Sequence, residues 1–172
     1  MESSNKRVAI LVEDLYQDLE LWYPFYRLRE EGIKPVIVGI KKAHKYKGKY
    51  GYPVESDIDI KEAKIDEFDA VLIPGGFAPD LMRKNRDMID FVKDMNTAGK
   101  LVASICHGAW MLASAGIIQG KKCTCYDAIA DDIINAGGIY SDEEVVVDGN
   151  IITSRKPDDL PAFCQAIISK LI

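Results

Sequence analysis

Hydrophobic positions along this chain follow two alternating patterns. Continuous apolar runs, which are typical of strands buried on both faces, occupy residues 7–12, 34–40, 68–73 and 100–103. Around these runs, apolar residues recur every three or four positions, which is the spacing of one buried helix face. The pattern therefore predicts buried strands that alternate with amphipathic helices.

The predicted helices are marked by the apolar residues of their buried faces. These are Leu21, Trp22, Phe25 and Leu28; Met88, Ile89, Val92 and Met95; Ile129, Ile133 and Ile134; and Leu160, Phe163, Cys164, Ile167, Ile168 and Leu171. Glycines at positions 32, 99 and 137 follow the first three sets. We expect them to end those helices, because glycine readily adopts the left-handed conformation found after a helix end.

Residues 46–60 are predicted to form a small hairpin or flap, and residues 144–153 a hairpin with a turn at Asp148-Gly149-Asn150. Strands that alternate with helices usually pair in parallel through right-handed crossovers. The predicted fold class is therefore α/β: a three-layer sandwich with a mostly parallel sheet and helices on both faces. A length of 172 residues leaves room for one compact domain, which we assign to residues 1–172.

The amino-acid composition of the chain argues against several classes of function. The formal net charge is −5, with 48% apolar and 28% charged residues, and no Lys/Arg block marks a nucleic-acid-binding surface. No apolar stretch is long enough to cross a bilayer, and the N-terminus does not resemble a signal peptide. The irregularly spaced cysteines and the two histidines fit neither a disulfide framework nor a metal site. We expect a cytoplasmic protein that binds no nucleic acid or membrane and needs no metal or cofactor.

The most specific chemical signal is the segment from Ser104 to Gly108, which contains Cys106 and His107. An apolar strand leads into the cysteine and a helix-compatible segment, 109–113, follows it. This order, with small residues two positions before and after the cysteine, is that of a nucleophile elbow. The positive end of the helix is expected to favour the thiolate. The alternative is a buried packing cysteine, which is our interpretation of Cys123, Cys125 and Cys164.

Ligands of parallel sheets bind at the carboxyl ends of the strands. The loops predicted to meet at that edge are 13–20, 74–80 and 104–108. Consecutive glycines let backbone N–H groups come close to a ligand. We therefore predict an oxyanion hole at Gly75, Gly76 and His107, with the N–H groups of Gly76 and His107 directed at the developing charge. A plain turn is the alternative.

Glu20 lies in the first turn of the first predicted helix. Asp18 is the candidate N-cap of this helix, and Pro24 is expected to distort it because proline cannot donate a backbone hydrogen bond. From this position the Glu20 carboxyl group can reach the elbow cysteine. When protonated it would donate a hydrogen bond to the thiolate, and when ionised it would orient a substrate proton. A surface glutamate is the alternative.

His107 directly follows the candidate nucleophile. Because adjacent residues in a tight turn usually point in different directions, His107 can act as general base only if its ring turns back toward Cys106. Asp80 is a candidate to orient that ring, including from a neighbouring subunit. The alternative is that Asp80 caps a short helix.

Segments spread over nearly the whole chain resemble the PfpI-type intracellular proteases. This family belongs to a superfamily that includes the parkinsonism-associated deglycase and cofactor-independent glyoxalases. The matching segments are residues 18–24, 27–32, 68–76, 102–108, 131–137, 145–150 and 154–160. The element Ala103-Ser104-Ile105-Cys106-His107-Gly108 is close to diagnostic.

The resemblance implies a flavodoxin-like sandwich related to class I glutamine amidotransferases. It also implies a nucleophilic Cys106 supported by Glu20, with His107 beside it and an oxyanion hole near Gly76. Self-association as a dimer or hexamer is a further implication. In the protease assemblies, a glutamate of the adjacent subunit completes a triad with the histidine, and the matching position here is Asp80, one methylene shorter.

These residues are compatible with two classes of function in which Cys106 is chemically reactive. The first is a cytoplasmic enzyme whose Cys106 attacks a carbonyl carbon, either of a peptide, as in a cysteine peptidase, or of methylglyoxal, as in a glyoxalase or deglycase. The second is a redox sensor or stress chaperone whose Cys106 is oxidised reversibly. A catalytically silent member of the fold is the structural alternative.

Overall fold

The fold is built around a central β-sheet. The computed structural model describes residues 5–172. The strands are β1 (Arg7–Leu11), β2 (Lys34–Gly39), β3 (Lys45–Lys47), β4 (Pro53–Glu55), β5 (Ile58–Asp59), β6 (Ala70–Ile73), β7 (Leu101–Ile105), β8 (Lys122–Cys123), β9 (Ile139–Tyr140), β10 (Val145–Asp148) and β11 (Ile151–Ser154). The helices are α1 (Asp18–Glu30), α2 (Ala78–Met82), α3 (Arg86–Thr97), α4 (Ala109–Ser114), α5 (Ala130–Asn135) and α6 (Leu160–Leu171). The predicted strands and helices are present, but the hairpin predicted at residues 46–60 ends at Glu55, because β5 leaves it to pair with β2.

The main sheet has seven strands in the spatial order β10-β11-β7-β6-β1-β2-β5. Neighbouring strands are parallel except β10 and β11, which form the predicted hairpin. A separate antiparallel hairpin joins β3 to β4, and β8 pairs with β9. The mostly parallel sheet confirms the predicted α/β class. Because β1, β6 and β7 are neighbours, the loops that follow them meet at one edge.

Helices bury both faces of the sheet. Every residue of the central strands β6 and β7 is buried. α1 packs against α6, and α3 packs against α4, so two helical layers enclose the sheet. The apolar residues that predicted α3 and α6 are buried without exception: Met88, Ile89, Val92, Met95, Leu160, Phe163, Cys164, Ile167, Ile168 and Leu171.

The start of α1 differs from the prediction. Gln17, not Asp18, is the N-cap, since its side-chain oxygen accepts hydrogen bonds from N–H groups of the first turn. The Asp18 carboxylate instead accepts hydrogen bonds from the N–H groups of Tyr50 and Tyr52, at 2.9 and 3.0 Å, and so ties α1 to the tip of the β3–β4 hairpin. The helix continues through Pro24, so the expected distortion does not interrupt it.

Other departures involve very short elements. The two-residue strands β5, β8 and β9 are too short to leave a periodic pattern in the sequence. Ile134 was expected on a buried helix face but is 50% exposed. α5 has only six residues, so it buries one side, at Ile133, and leaves Ile134 facing outward.

Within residues 5–172, no helix combines the length and apolarity needed to span a bilayer. The same residues contain no cluster of His, Cys, Asp and Glu side chains arranged to bind a metal ion.

Two leucines on α1 test the core assignment. Leu21 is 0% exposed and Leu19 is 57% exposed. We expect Leu21→Ala to lower the free energy of unfolding by about 2–5 kcal/mol, because it removes buried methyl groups and leaves a cavity. Leu19→Ala, the matched control, should change it by less than about 0.5 kcal/mol. Urea denaturation measures both, and equal effects would contradict this packing of α1.

Candidate active site

Cys106 lies in a strained turn between β7 and α4. Its φ is +61°, a left-handed value that a non-glycine residue adopts only under constraint. Gly108 permits the turn, since a Cβ at that position would lie 2.6 Å from the carbonyl oxygen of Ile73. Strand, turn and helix therefore form the predicted elbow, and Gly108 is needed because the turn packs against the end of β6.

The thiol of Cys106 is enclosed by polar groups. The residue is 7% exposed, and its Sγ lies 3.3 Å from Nδ1 of His107. The backbone N–H groups of Gly76 and His107 face the sulfur and act to lower the pKa of the thiol. The His107 ring thus turns back toward the thiol, which was the condition set for a general base.

Glu20 is the second ionisable group at the sulfur. Its side chain is 0% exposed, and its Oε2 accepts a hydrogen bond of 2.7 Å from the Gly75 N–H. A Cβ at Gly75 would lie 2.6 Å from this Oε2 and 2.7 Å from the Cβ of Cys106. Oε1 is buried and has no hydrogen-bond partner among the described groups. The structure therefore brings Glu20 and Cys106 together as predicted, across a glycine that no other residue could replace.

Burial dominates the electrostatics of this pair. It raises the pKa of Glu20 to about 7, against smaller lowering effects from the Gly75 N–H, the Cys106 thiol and the charge of Lys49. Burial, followed by the negative charge of Glu20, raises the pKa of Cys106 to about 12. The expectation that a helix terminus would favour the thiolate is therefore wrong for the resting site. α4 has only six residues, and burial is the largest influence on the pKa of the thiol.

Only part of the predicted oxyanion hole is available to a substrate. The Gly75 N–H is already donated to Glu20, so Gly75 does not serve as a donor and that prediction is corrected. Gly76 has φ +76° and pairs with Tyr16 in an isolated bridge. This bridge fixes the Gly76 N–H near the sulfur. The N–H groups of Gly76 and His107 remain the candidate oxyanion donors.

Two aromatic rings enclose the His107 imidazole. Tyr126 stacks on it at a centroid distance of 5.1 Å and an interplanar angle of 27°, and Trp110 meets it edge-on at 5.1 Å and 77°. Burial, assisted by the charge of Lys49, lowers the pKa of His107, while Asp127 acts in the opposite direction. The ring is therefore neutral at pH 7 and can accept a proton.

Asp80 is not beside His107 in this chain. It lies in the first turn of α2, where Phe77 is the N-cap residue, so Asp80 is not the cap either. Across residues 5–172, no hydrogen bond or ion pair joins Asp80 to His107. Its expected role within one subunit is thus not supported, and a role at the site of a neighbouring subunit stays a prediction.

Four residues near the site were not predicted from the sequence: Lys49, Trp110, Tyr126 and Asp127. Trp110 lies three positions after His107 on the same face of a helical segment, and this spacing could have identified it. The others arrive from the β3–β4 hairpin and from the loop after β8, and their proximity depends on folding over long sequence distances. The remaining cysteines, Cys123, Cys125 and Cys164, are buried and unpaired, as predicted.

The buried carboxyl group predicts a pH-dependent stability. The pKa of Glu20 rises from 4.5 to about 7 on folding, so the folded state binds the proton more tightly and loses stability as pH rises through this range. Glu20→Gln mimics the protonated form. We expect it to raise the free energy of unfolding by about 3 kcal/mol at pH 8 and by about 1 kcal/mol at pH 5.

Denaturant unfolding at the two pH values measures this difference. Glu62→Gln makes the same chemical change at an exposed position, and should alter stability by less than about 0.5 kcal/mol at either pH. A Glu20→Gln protein no more stable than wild type at pH 8 would contradict the raised pKa.

Removal of the positive or of the negative charge near His107 should shift the pKa of this histidine in opposite directions. Lys49→Gln removes a charge that lowers this pKa and should raise it, whereas Asp127→Asn should lower it. Both side chains are exposed, so each shift should be less than about one pH unit and should shrink in added salt. Imidazole NMR measures both, because the chain has only two histidines and His44→Gln assigns the signals. Shifts in one direction for both variants would exclude this electrostatic arrangement.

Known proteins share this architecture. Residues 6–170 match the profile of the DJ-1/PfpI family. Deglycase PfpI from Pyrococcus furiosus is 44% identical over 165 residues, or 96% of this chain and 99% of that protein. The provisionally named cysteine protease YraA from Bacillus subtilis is 42% identical over 167 residues, or 97% and 99%. A solved two-domain structure from Anabaena variabilis, with DJ-1/ThiJ/PfpI-like and ferritin-like domains, matches 96% of this chain over 48% of its own, with a TM-score of 0.95 and 46% identity. This chain therefore belongs to the DJ-1/PfpI family.

Proposed function

We propose that this protein is a deglycase- or glyoxalase-type enzyme in which Cys106 adds to the carbonyl carbon of a small reactive aldehyde such as methylglyoxal. One observation carries the proposal: the thiol lies between two groups that can move a proton near neutral pH. These groups are the His107 imidazole, 3.3 Å from the sulfur, and the buried Glu20 carboxyl group, whose pKa is about 7.

The first step is addition of the thiol to the aldehyde. Because burial keeps the Cys106 thiol protonated, a base must take its proton as the C–S bond forms, and the neutral His107 ring is in contact with it. The N–H groups of Gly76 and His107 stabilise the negative charge that develops on the carbonyl oxygen. Return of the proton to that oxygen gives a hemithioacetal.

The second step is proton transfer between neighbouring carbons. The ionised Glu20 removes the hydrogen from the carbon bonded to sulfur and returns it as a proton to the adjacent carbonyl carbon, while the hydroxyl proton of the hemithioacetal moves to the adjacent carbonyl oxygen. The aldehyde carbon is thereby oxidised to a thioester and its neighbour reduced to an alcohol, so no external oxidant is needed. Hydrolysis of the thioester releases lactate and restores the thiol. A pKa near 7 suits Glu20 to both halves of this transfer.

Enclosure of the thiol favours a small substrate over a peptide. An exposed fraction of 7% at Cys106 admits a molecule with the dimensions of methylglyoxal more easily than an extended backbone. The deglycase name of the Pyrococcus furiosus relative supports the same class of chemistry. Peptide hydrolysis is the second candidate, because the close contact of Cys106 and His107 also suits acyl transfer and the Bacillus subtilis relative carries a cysteine protease name.

Parallel assays of methylglyoxal and fluorogenic peptides test the proposal. We expect wild type to convert methylglyoxal to lactate and Cys106→Ala to lose this activity. Glu20→Gln should retain folding but lose at least about a hundredfold in rate, since general acid–base catalysis contributes this much or more. Cys164→Ala removes another buried thiol, outside the site, and should retain activity.

The alternatives give different results in the same assays. Peptide cleavage that depends on Cys106, without turnover of methylglyoxal, would replace the proposal with a peptidase. Oxidation of Cys106 by peroxide with no turnover of either substrate would favour a redox sensor.

A further inference from the structure

We propose that Trp110, held in place by Asp132, is a positioning residue that keeps the His107 ring turned toward Cys106. The inference rests on the proposed function in one respect, namely that His107 accepts the proton of the thiol. The geometry that carries it is a chain of contacts that runs from the imidazole to the surface helix α5.

Within one subunit, no carboxylate of the described residues hydrogen-bonds the imidazole, so its orientation there depends on packing. In Cys–His and Ser–His enzymes, a third group usually hydrogen-bonds the second ring nitrogen and sets the ring orientation. Within the described part of this chain, the hydrogen-bonding contact of the His107 ring is the one between Nδ1 and Cys106. Rotation about the last torsion of histidine is broad and roughly two-fold, so packing must select the rotamer that places Nδ1 at the sulfur.

Trp110 contacts the imidazole in a different orientation from Tyr126. Tyr126 stacks on the face of the imidazole at 27°, which fixes the ring plane but is compatible with a ring flipped by 180° about its Cβ–Cγ bond. Trp110 meets the ring at 77°, so a flip would exchange the ring atoms that contact the indole. Edge-to-face aromatic contacts of this kind shift a conformational equilibrium by about two- to tenfold.

The indole of Trp110 is itself held on two sides. Its Nε1–H donates a hydrogen bond of 2.8 Å to Oδ2 of Asp132 on α5. The guanidinium of Arg83 lies 5.5 Å from the centroid of the indole, and Arg83 is fixed by a 3.0 Å hydrogen bond from its Nε to Oγ of Ser114. The indole therefore has a single orientation, which the hydrogen bond to Asp132 determines.

One segment of the chain contains both the residue that stacks on His107 and the residue that holds Trp110. Tyr126, which stacks on His107, and Asp132, which holds Trp110, are six positions apart in the segment that enters α5. The backbone N–H of Tyr126 also donates to the carbonyl oxygen of Cys106 at 3.4 Å. Residues 126–132 thus pack over the elbow and support the proposed base, whereas the proposed nucleophile lies at the end of the sheet.

Substitutions at Asp132 test the proposal without altering either ring. Asp132→Ala removes the acceptor, whereas Asp132→Asn keeps an oxygen that can accept the indole hydrogen bond. Asp131→Ala is the matched control, since Asp131 is a neighbouring exposed carboxylate in the first turn of the same helix. Trp110→Phe keeps an aromatic ring but removes the indole N–H.

NMR gives the first readout, and it needs no substrate. The chain has two tryptophans and two histidines, so the indole N–H signals and the ring nitrogen signals are few and assignable. In Asp132→Ala we expect the Trp110 N–H signal to move upfield and the His107 ring nitrogen shifts to change. Asp132→Asn should restore both toward the wild-type values, and Asp131→Ala should leave them unchanged.

Turnover of methylglyoxal gives the second readout. We expect Asp132→Ala and Trp110→Phe to lower kcat by about two- to tenfold, with KM changed by less than about twofold, because the base is misplaced while the binding site is kept. Asp132→Asn should recover most of the loss.

The two readouts separate failure of this proposal from failure of the proposed function. His107 shifts that change in Asp132→Ala and are restored in Asp132→Asn support the positioning role even if methylglyoxal is not a substrate. His107 signals that are the same in Asp132→Ala and wild type would overturn it, whatever the activity. Equal effects of Asp132→Ala and Asp131→Ala would also overturn it, because charge or helix stability would then explain both.

Discussion

A hydrogen bond of 2.7 Å from the Gly75 N–H to the Glu20 carboxylate fastens the first helix to the strand end beside Cys106. It brings together three segments far apart in the sequence, and it is possible only because position 75 has no side chain. A Cβ there would lie within 2.7 Å of both the Glu20 carboxylate and the Cys106 side chain. The contact also leaves Glu20 without access to water, and this burial raises its pKa into the range where it can gain and lose a proton.

The same region carries features that are unfavourable in isolation. Glu20 is fully buried, with no cationic partner at hydrogen-bond distance among residues 5–172, and Cys106 has a left-handed backbone conformation. Such features persist only where the surrounding structure fixes them. Here the central strands β6 and β7 are buried along their whole length, and a rigid sheet edge can hold an arrangement that a flexible loop would relax.

The parts of the fold that the sequence predicts are those that depend on local pattern. Apolar runs predict the central strands, and the small residues around Cys106 predict the elbow, because both follow from sterics within a few positions. The Gln17 cap and the role of Gly75 as a hydrogen-bond donor to Glu20 could not be predicted. Each depends on which acceptor group the folded chain places next to a given backbone N–H. Tyr126 and Asp127 lie near His107 because the segment beyond β8 packs over the elbow. No local spacing in the sequence predicts that proximity.

The proposed nucleophile and the proposed base are therefore supported by different parts of the molecule. Cys106 and Glu20 are fixed by buried elements at the sheet edge, whereas the two rings around His107 belong to partly exposed residues, and one of them, Trp110, is held by the surface carboxylate of Asp132. A substitution near the surface can change the orientation of the base while the buried pair is unaffected. In the proposed mechanism, proton transfer between adjacent carbons depends chiefly on Glu20, whereas the alternative, acyl transfer to water, depends on a well-placed histidine.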